Sequence, residues 1–210
     1  MLRPYSAYGA DMGVHEDIAA CAASHGRLLA AVQGLTDADV RAPSLLPDWT
    51  VGHVLTHVAR NADSVVRRLV AAVEHRQVPQ YEGGAEGRAA AIEAGSGRPA
   101  TELLADLVDA CTAVDDLLPV VGEEVWTREV LAGNGPSTVP ASRLVYSRWR
   151  EVEVHHVDLG RGYGPADWPP ELVQRMLPEL LETLPSRADA AALLAWAAGR
   201  GPAPELAAWG

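Results

Sequence analysis

The 210-residue chain contains no phenylalanine and no lysine, and only 5% of its residues are aromatic. All 17 of its basic residues are therefore arginines, and 28 acidic residues bring the formal net charge to −11. This balance, without a long basic stripe, argues against a nucleic-acid partner, because the phosphate backbone repels an acidic protein. The hydrophobic content of 48% is nevertheless ample for a folded core, which excludes wholesale disorder.

Cysteines and long hydrophobic runs are also scarce. The two cysteines, Cys21 and Cys111, occupy helix-like core positions, which predicts buried free thiols rather than a disulfide or a metal pair. The most apolar window, 190–198, is too short to span a bilayer. Residues 1–6 lack the basic segment and apolar run of a secretory signal. We therefore expect a soluble, cytoplasmic protein with no membrane partner.

Helical periodicity dominates the rest of the sequence. Apolar residues recur at spacings of three and four in long segments, which predicts helices at about 11–33, 50–75, 101–118 and 141–159. Thr50 is a good N-cap for the second helix, and Gly160 is expected to follow the last. Between the third and fourth helices, the Gly-Asn-Gly-Pro sequence at 133–136 predicts the turn of a short, irregular hairpin.

The C-terminal part of the chain predicts a small addition. After two consecutive prolines we expect helices at about 171–184 and 188–198, separated by Pro185. Four long helices with unequal connections predict a mainly α fold. The expected organisation is a four-helix bundle over residues 1–162, followed by a short, mostly helical segment over residues 163–210.

Two pairs of ionisable residues lie where the bundle core should be. His53 and His57 are four residues apart in the second long helix, and Glu151 and His155 are four apart in the fourth. This spacing places both members of a pair on one helix face. Facing helices often build metal sites from such pairs. Two imidazoles and one carboxylate are the ligand set of a catalytic zinc or of a 2-His-1-carboxylate iron site.

Each pair alone has an ordinary interpretation as a surface contact or a satisfied core histidine. The occurrence of both pairs among β-branched apolar residues favours a shared metal site. Spacing leaves open whether His53 or His57 is the ligand, and whether His155 or His156 completes the site.

Four stretches of the sequence carry a resemblance to a known family. Residues 45–62 read LLPDWTVGHVLTHVARNA, residues 138–142 read TVPAS, residues 150–160 read REVEVHHVDLG and residues 197–201 read AAGRG. They resemble mycothiol-dependent maleylpyruvate isomerase-type proteins, which belong to the DinB-like superfamily of metal-dependent thiol enzymes. The similarity runs in order over residues 11–162 and implies a DinB-like four-helix bundle.

Site residues follow from the resemblance position by position. It implies that His57, Glu151 and His155 bind a divalent metal, most simply Zn²⁺, and that Arg200 is a catalytic residue. His53 and Asp158 have no assigned role: either is a candidate for orienting a ligand, and His53 is equally a candidate for a core hydrogen bond. Family isomerases usually carry a longer, mixed α/β C-terminal domain than the roughly fifty residues that follow Gly160 here.

The resemblance also implies a reaction. A thiol reacts as its thiolate, which a coordinating Zn²⁺ can generate at neutral pH, and mycothiol would supply that thiol. Its addition to maleylpyruvate, rotation about the resulting single bond and elimination give fumarylpyruvate, with Arg200 holding a substrate carboxylate.

The sequence is also compatible with two alternative functions. A mycothiol S-transferase would use the same thiolate on an electrophilic metabolite or xenobiotic, and a non-enzymatic binding protein would use the polar cluster structurally. We expect a small-molecule electrophile and mycothiol as partners, and a monomer or homodimer.

Overall fold

A computed structural model describes residues 13–133 and 135–207, which fall into two compact units that divide after Asp167. The helices of the first unit are α1 (Val14–Val32), α2 (Asp37–Arg41), α3 (Val51–Val73), α4 (Gly84–Ser96), α5 (Ala100–Leu117) and α6 (Ser142–Asp158). The second unit contains α7 (Pro170–Arg187) and α8 (Ala190–Ala197). The predicted mainly α fold is confirmed.

The four long helices of the first unit form the bundle. Helices α1 and α3 each pack against both α5 and α6, and α4 packs on α3. The core between them is largely aliphatic and includes the buried side chains of Leu28, Leu55, Leu69, Leu103, Leu107, Leu144 and Val152. Its burial is the main favourable term in folding. The four predicted long helices are thus present, within a few residues of their expected bounds.

Local signals explain several element boundaries. The Thr50 side chain accepts a hydrogen bond from the His53 backbone N–H, as expected for the N-cap of α3. Strands β1 (Glu129–Leu131) and β2 (Thr138–Pro140) pair antiparallel, with Val130 opposite Val139, which confirms the short hairpin. Helix α4, which was not predicted from the sequence, is formed by an alanine- and glycine-rich segment.

A buried arginine connects the long helices. Arg148, on α6, has no exposed surface. It donates from Nε to His25 Nε2 on α1 (3.0 Å), from Nη1 to Asn61 Oδ1 on α3 (2.9 Å), and from Nη2 to Cys111 Sγ on α5 (3.5 Å). Because a guanidinium only donates, His25 must accept at Nε2 and carry its proton on Nδ1, where Asp115 lies 2.7 Å away.

The prediction that Pro185 separates two helices is wrong. Helix α7 continues through both Pro178 and Pro185 to Arg187. A proline inside a helix removes one backbone hydrogen bond, and the bonds on either side hold α7 together. The break comes later, where Ala188 is extended and the Asp189 side chain accepts from Ala192 N–H to cap α8.

Three other expectations concern cysteines, membranes and the termini. Cys21 and Cys111 are both buried and free, as predicted. Within the described residues, no helix is both long and apolar enough to cross a membrane. Three predicted features lie outside the described residues: the start of the first helix, residues 1–6 with no expected secretory signal, and Asn134 in the hairpin turn.

Gly52 marks a close approach between α3 and the end of α4. A Cβ atom there would lie 2.3 Å from the Ser96 carbonyl oxygen, whereas a Cβ at the exposed Gly26 of α1 meets nothing within 4 Å. We predict that Gly52→Ala lowers the free energy of unfolding by about 1–3 kcal/mol or more. The matched control Gly26→Ala should raise it by up to about 1 kcal/mol, because alanine favours a helix.

Chemical denaturation of the two variants checks this prediction. Equal stability of Gly52→Ala and the wild type would show that α3 and α4 do not approach so closely.

Candidate metal centre

Three of the four predicted site residues converge between α3 and α6. His57 Nε2 lies 3.0 Å from His155 Nε2 and 3.3 Å from Glu151 Oε2, and His155 Nε2 lies 3.5 Å from the same carboxylate oxygen. The His57 side chain is 3% exposed, whereas those of Glu151 and His155 are 21% and 15% exposed. The cluster is therefore anchored in the bundle but remains open to solvent at one side.

Two neighbouring side chains orient this cluster. Asp158 Oδ2 lies 2.8 Å from His155 Nδ1, one helical turn further along α6. A hydrogen bond at Nδ1 fixes the ring and leaves Nε2 directed at the cluster. On α3, Asn61 Nδ2 donates to Glu151 Oε2 at 3.4 Å, while Asn61 Oδ1 accepts from Arg148. The Arg148 network thus extends to the carboxylate of the cluster.

The electrostatics of the cluster follow from burial and hydrogen bonding. Burial lowers the pKa of His57 to about 4, so its imidazole is neutral at pH 7. Burial also acts to lower the pKa of His155, but hydrogen bonds with Asp158 and Glu151 outweigh it and raise that pKa to about 9. Although burial alone would raise the pKa of Glu151, hydrogen bonds from the two imidazoles hold it well below its usual range.

This donor set fits a divalent metal ion. The three ligand atoms all lie within 4.8 Å of one another, and they combine two imidazoles with one carboxylate. Such a set is typical of catalytic zinc and non-haem iron sites that keep positions open for other molecules. A metal bound by all three side chains would replace the proton that His155 holds.

The other candidate histidines have different partners. His53 Nδ1 lies 3.2 Å from the Thr50 backbone nitrogen and 2.8 Å from its hydroxyl, so His53 completes the N-terminal cap of α3. His156 stacks in parallel on Tyr163, with ring centroids 3.9 Å apart. His57 and His155 therefore lie together in the cluster, whereas His53 caps α3 and His156 packs on Tyr163.

Arg200 belongs to the second unit of the chain. It is exposed there and follows Gly199, which has a left-handed backbone (φ +68°). Its Nη1 donates to the carbonyl oxygens of Ala198 and Gly199, both at 3.3 Å. Its assignment as a catalytic residue stays a prediction.

Several residues that contact the cluster were not predicted from the sequence. Asn61 follows His57 by four residues, so helical spacing alone places it on the same face of α3, where it could have been found. Arg88 comes from α4, and its Nη2 lies 3.3 Å from both ring nitrogens of His57. The Trp49 ring lies edge-on to His57 at 5.7 Å. No periodic signal relates Trp49 or Arg88 to the two ligand pairs.

Fold and cluster together define a helical-bundle protein with a candidate divalent-metal centre. The family described as "Mycothiol maleylpyruvate isomerase N-terminal domain" matches residues 21–160. This match covers about two thirds of the chain, which belongs to that family. It includes all three converging residues and confirms the resemblance seen in the sequence motifs.

Solved structures agree with this assignment. The mycothiol-dependent maleylpyruvate isomerase is 26% identical, with a TM-score of 0.79 over 88% of this chain and 75% of that one. A substituted variant of that isomerase matches with 25% identity and the same TM-score and coverage. YfiT from Bacillus subtilis, described as having an unusual four-helix bundle topology, is 19% identical with a TM-score of 0.56 over 80% and 90% of the two chains, and it supports the fold alone. No curated protein matches the chain.

We predict that the protein binds one divalent ion per chain, and that His57→Ala abolishes this stoichiometric binding because two remaining ligands rarely hold zinc tightly. His53→Ala is the matched control: it removes a histidine one turn earlier on α3 and should leave the metal content unchanged. Elemental analysis of the gel-filtered proteins measures both. If His57→Ala retains as much metal as the wild type, the ligand assignment is wrong.

Proposed function

We propose that this protein is a metal-dependent enzyme that activates mycothiol, and that it isomerises maleylpyruvate to fumarylpyruvate or acts on a closely related cis-unsaturated acid. The observation that carries the proposal is the convergence of His57, Glu151 and His155 in a member of the isomerase family. A zinc ion bound there would lower the pKa of a coordinated thiol and so supply a thiolate.

The surrounding residues prepare the site for that chemistry. His57 is neutral because it is buried, which is the state that binds metal. Asp158 holds the His155 ring from its far side, and Asn61 holds one oxygen of Glu151. Rigid positioning of this kind lets the cluster accept a thiol with little rearrangement.

The protein's own cysteines are unsuited to the role of nucleophile. Cys21 is fully buried, and this burial raises the pKa of its thiol to about 12. Burial also raises the pKa of Cys111, whose sulfur accepts from Arg148 in the bundle core. An external thiol is therefore required, and mycothiol is the one that the family description names.

A mycothiol S-transferase is the second candidate. It would use the same thiolate but retain the thioether instead of eliminating the thiol. The matched family model describes an N-terminal domain and ends at residue 160, so it gives no support for a maleylpyruvate pocket built by the residues beyond it. The two functions differ in thiol balance, because isomerisation returns free mycothiol and transfer consumes one molecule for each product.

We predict that turnover of maleylpyruvate requires added mycothiol and bound metal, and that it survives the double substitution Cys21→Ser/Cys111→Ser. Serine at position 111 can still accept a hydrogen bond from Arg148, so the folded core should persist. Product analysis with a thiol assay measures both outcomes. Full turnover in thiol-free buffer would refute the external-thiol mechanism, and stoichiometric thiol loss would favour the transferase.

Arg200 is the proposed substrate-carboxylate residue. Arg200→Lys keeps the charge but loses the planar fork that suits a carboxylate. We predict that it slows turnover by roughly 30- to 1000-fold, equivalent to about 2–4 kcal/mol of transition-state stabilisation. Arg200→Lys should bind as much metal as the wild type. The control Arg76→Lys, which changes an exposed arginine, should turn over substrate at the wild-type rate. Unchanged rates in both Arg200→Lys and Arg200→Ala would remove Arg200 from the mechanism.

A further inference from the structure

Arg88 places a positive charge beside the candidate metal centre, in addition to the charge of the metal ion that this centre would bind. The side chain is half-buried on α4, and its Nη2 lies 3.3 Å from Nδ1 and from Nε2 of His57. Its guanidinium carbon lies 5.9 Å from the ring centroids of both Trp49 and Tyr81. The guanidinium thus lies near two aromatic rings, and its Nη2 contacts the ring of His57.

The contact with His57 does not satisfy this guanidinium. Once Nε2 binds a metal, Nδ1 of a neutral imidazole carries the remaining proton and can only donate. Arginine also only donates, so the pair cannot then form a hydrogen bond. In the part of the chain that the structure describes, no carboxylate lies within 4.0 Å of Arg88. A half-buried cation next to a dication thus lacks an anionic partner.

The local backbone holds Arg88 in this place. Helix α4 begins directly after Gly83, which has a left-handed backbone (φ +72°), so the chain turns sharply between Tyr81 and the helix. At Gly87 a Cβ atom would lie 1.8 Å from the carbonyl oxygen of Glu82, so only glycine fits this turn. The same turn therefore sets both Tyr81 and Arg88 against the cluster.

We propose that Arg88 is a substrate-binding residue: its guanidinium binds a carboxylate of the electrophilic substrate next to the metal centre. The inference rests on the proposed function and deepens it, because it assigns a second arginine, besides Arg200, to the carboxylates of the substrate. A guanidinium presents paired N–H donors that match a carboxylate. Arg88 is half-buried beside Trp49 and Tyr81, so water screens such a contact less than it would on an exposed surface.

The test uses binding rather than turnover. Maleate, a cis-dicarboxylate, is titrated by calorimetry into the metal-loaded wild type, Arg88→Gln, Arg88→Lys and the charge-matched control Arg76→Gln. We expect Arg88→Gln to weaken maleate binding by about 10- to 100-fold, because it loses a charge-assisted hydrogen bond. Arg88→Lys should lose less, Arg76→Gln should bind like the wild type, and uncharged dimethyl maleate should not bind measurably to any of them.

Metal affinity, measured by chelator competition, separates this role from a structural one. Removing a cation beside the metal should leave the affinity of Arg88→Gln for zinc unchanged or raise it by up to about tenfold. A parallel loss of zinc and maleate affinity would mean that Arg88 only supports the fold, and it would overturn the proposal. So would equal maleate affinity in Arg88→Gln and the wild type, or no saturable binding to the wild type.

These outcomes are independent of catalysis. A protein that binds maleate through Arg88 but turns over neither maleylpyruvate nor a related cis-unsaturated acid with mycothiol would refute the proposed function while leaving the anion site intact.

Discussion

The buried guanidinium of Arg148 is the interaction on which the bundle depends. An uncompensated charge in a protein interior costs several kcal/mol, so its side chain demands partners. It finds them on each of the other three helices of the bundle: His25 on α1, Asn61 and the carbonyl oxygen of Val58 on α3, and Cys111 on α5. For these contacts to form, each helix must have a fixed rotation about its own axis and a fixed position along that axis. One polar side chain thereby fixes the register of an otherwise aliphatic core.

The same interaction connects the fold to the candidate metal centre. Arg148 and Glu151 lie one turn apart on α6, and Asn61 contacts both of them, accepting from the first and donating to the second. Because its oxygen is held by Arg148, the amide of Asn61 has one favourable orientation, with its NH₂ towards Glu151. Scaffold stability and ligand geometry are therefore coupled through a single amide group.

Patterns within one helical turn predicted much of this molecule. Contacts between residues far apart in the sequence could not be predicted from such patterns. Periodicity located the long helices, Thr50 marked the start of α3, and spacing of four paired the candidate ligands, because all of these depend on residues within one turn. The choice between His53 and His57 needed the family resemblance, since both lie on the same helix face. Arg88 reaches the site from a separate helix, which no local pattern encodes. The Pro185 prediction failed for another reason: the backbone hydrogen bonds on either side of the proline outweighed its local preference to end a helix.

The two buried cysteines have a consequence for how long such a protein remains intact. Burial raises the pKa of the Cys21 thiol to about 12, so this thiol stays protonated at neutral pH. Alkylating agents and peroxides attack the thiolate, and a sulfur with no exposed surface presents no target for collision. The two thiols of this chain are therefore out of reach of an electrophile in the surrounding solution. Burial here protects the two thiols chemically as well as packing them in the core.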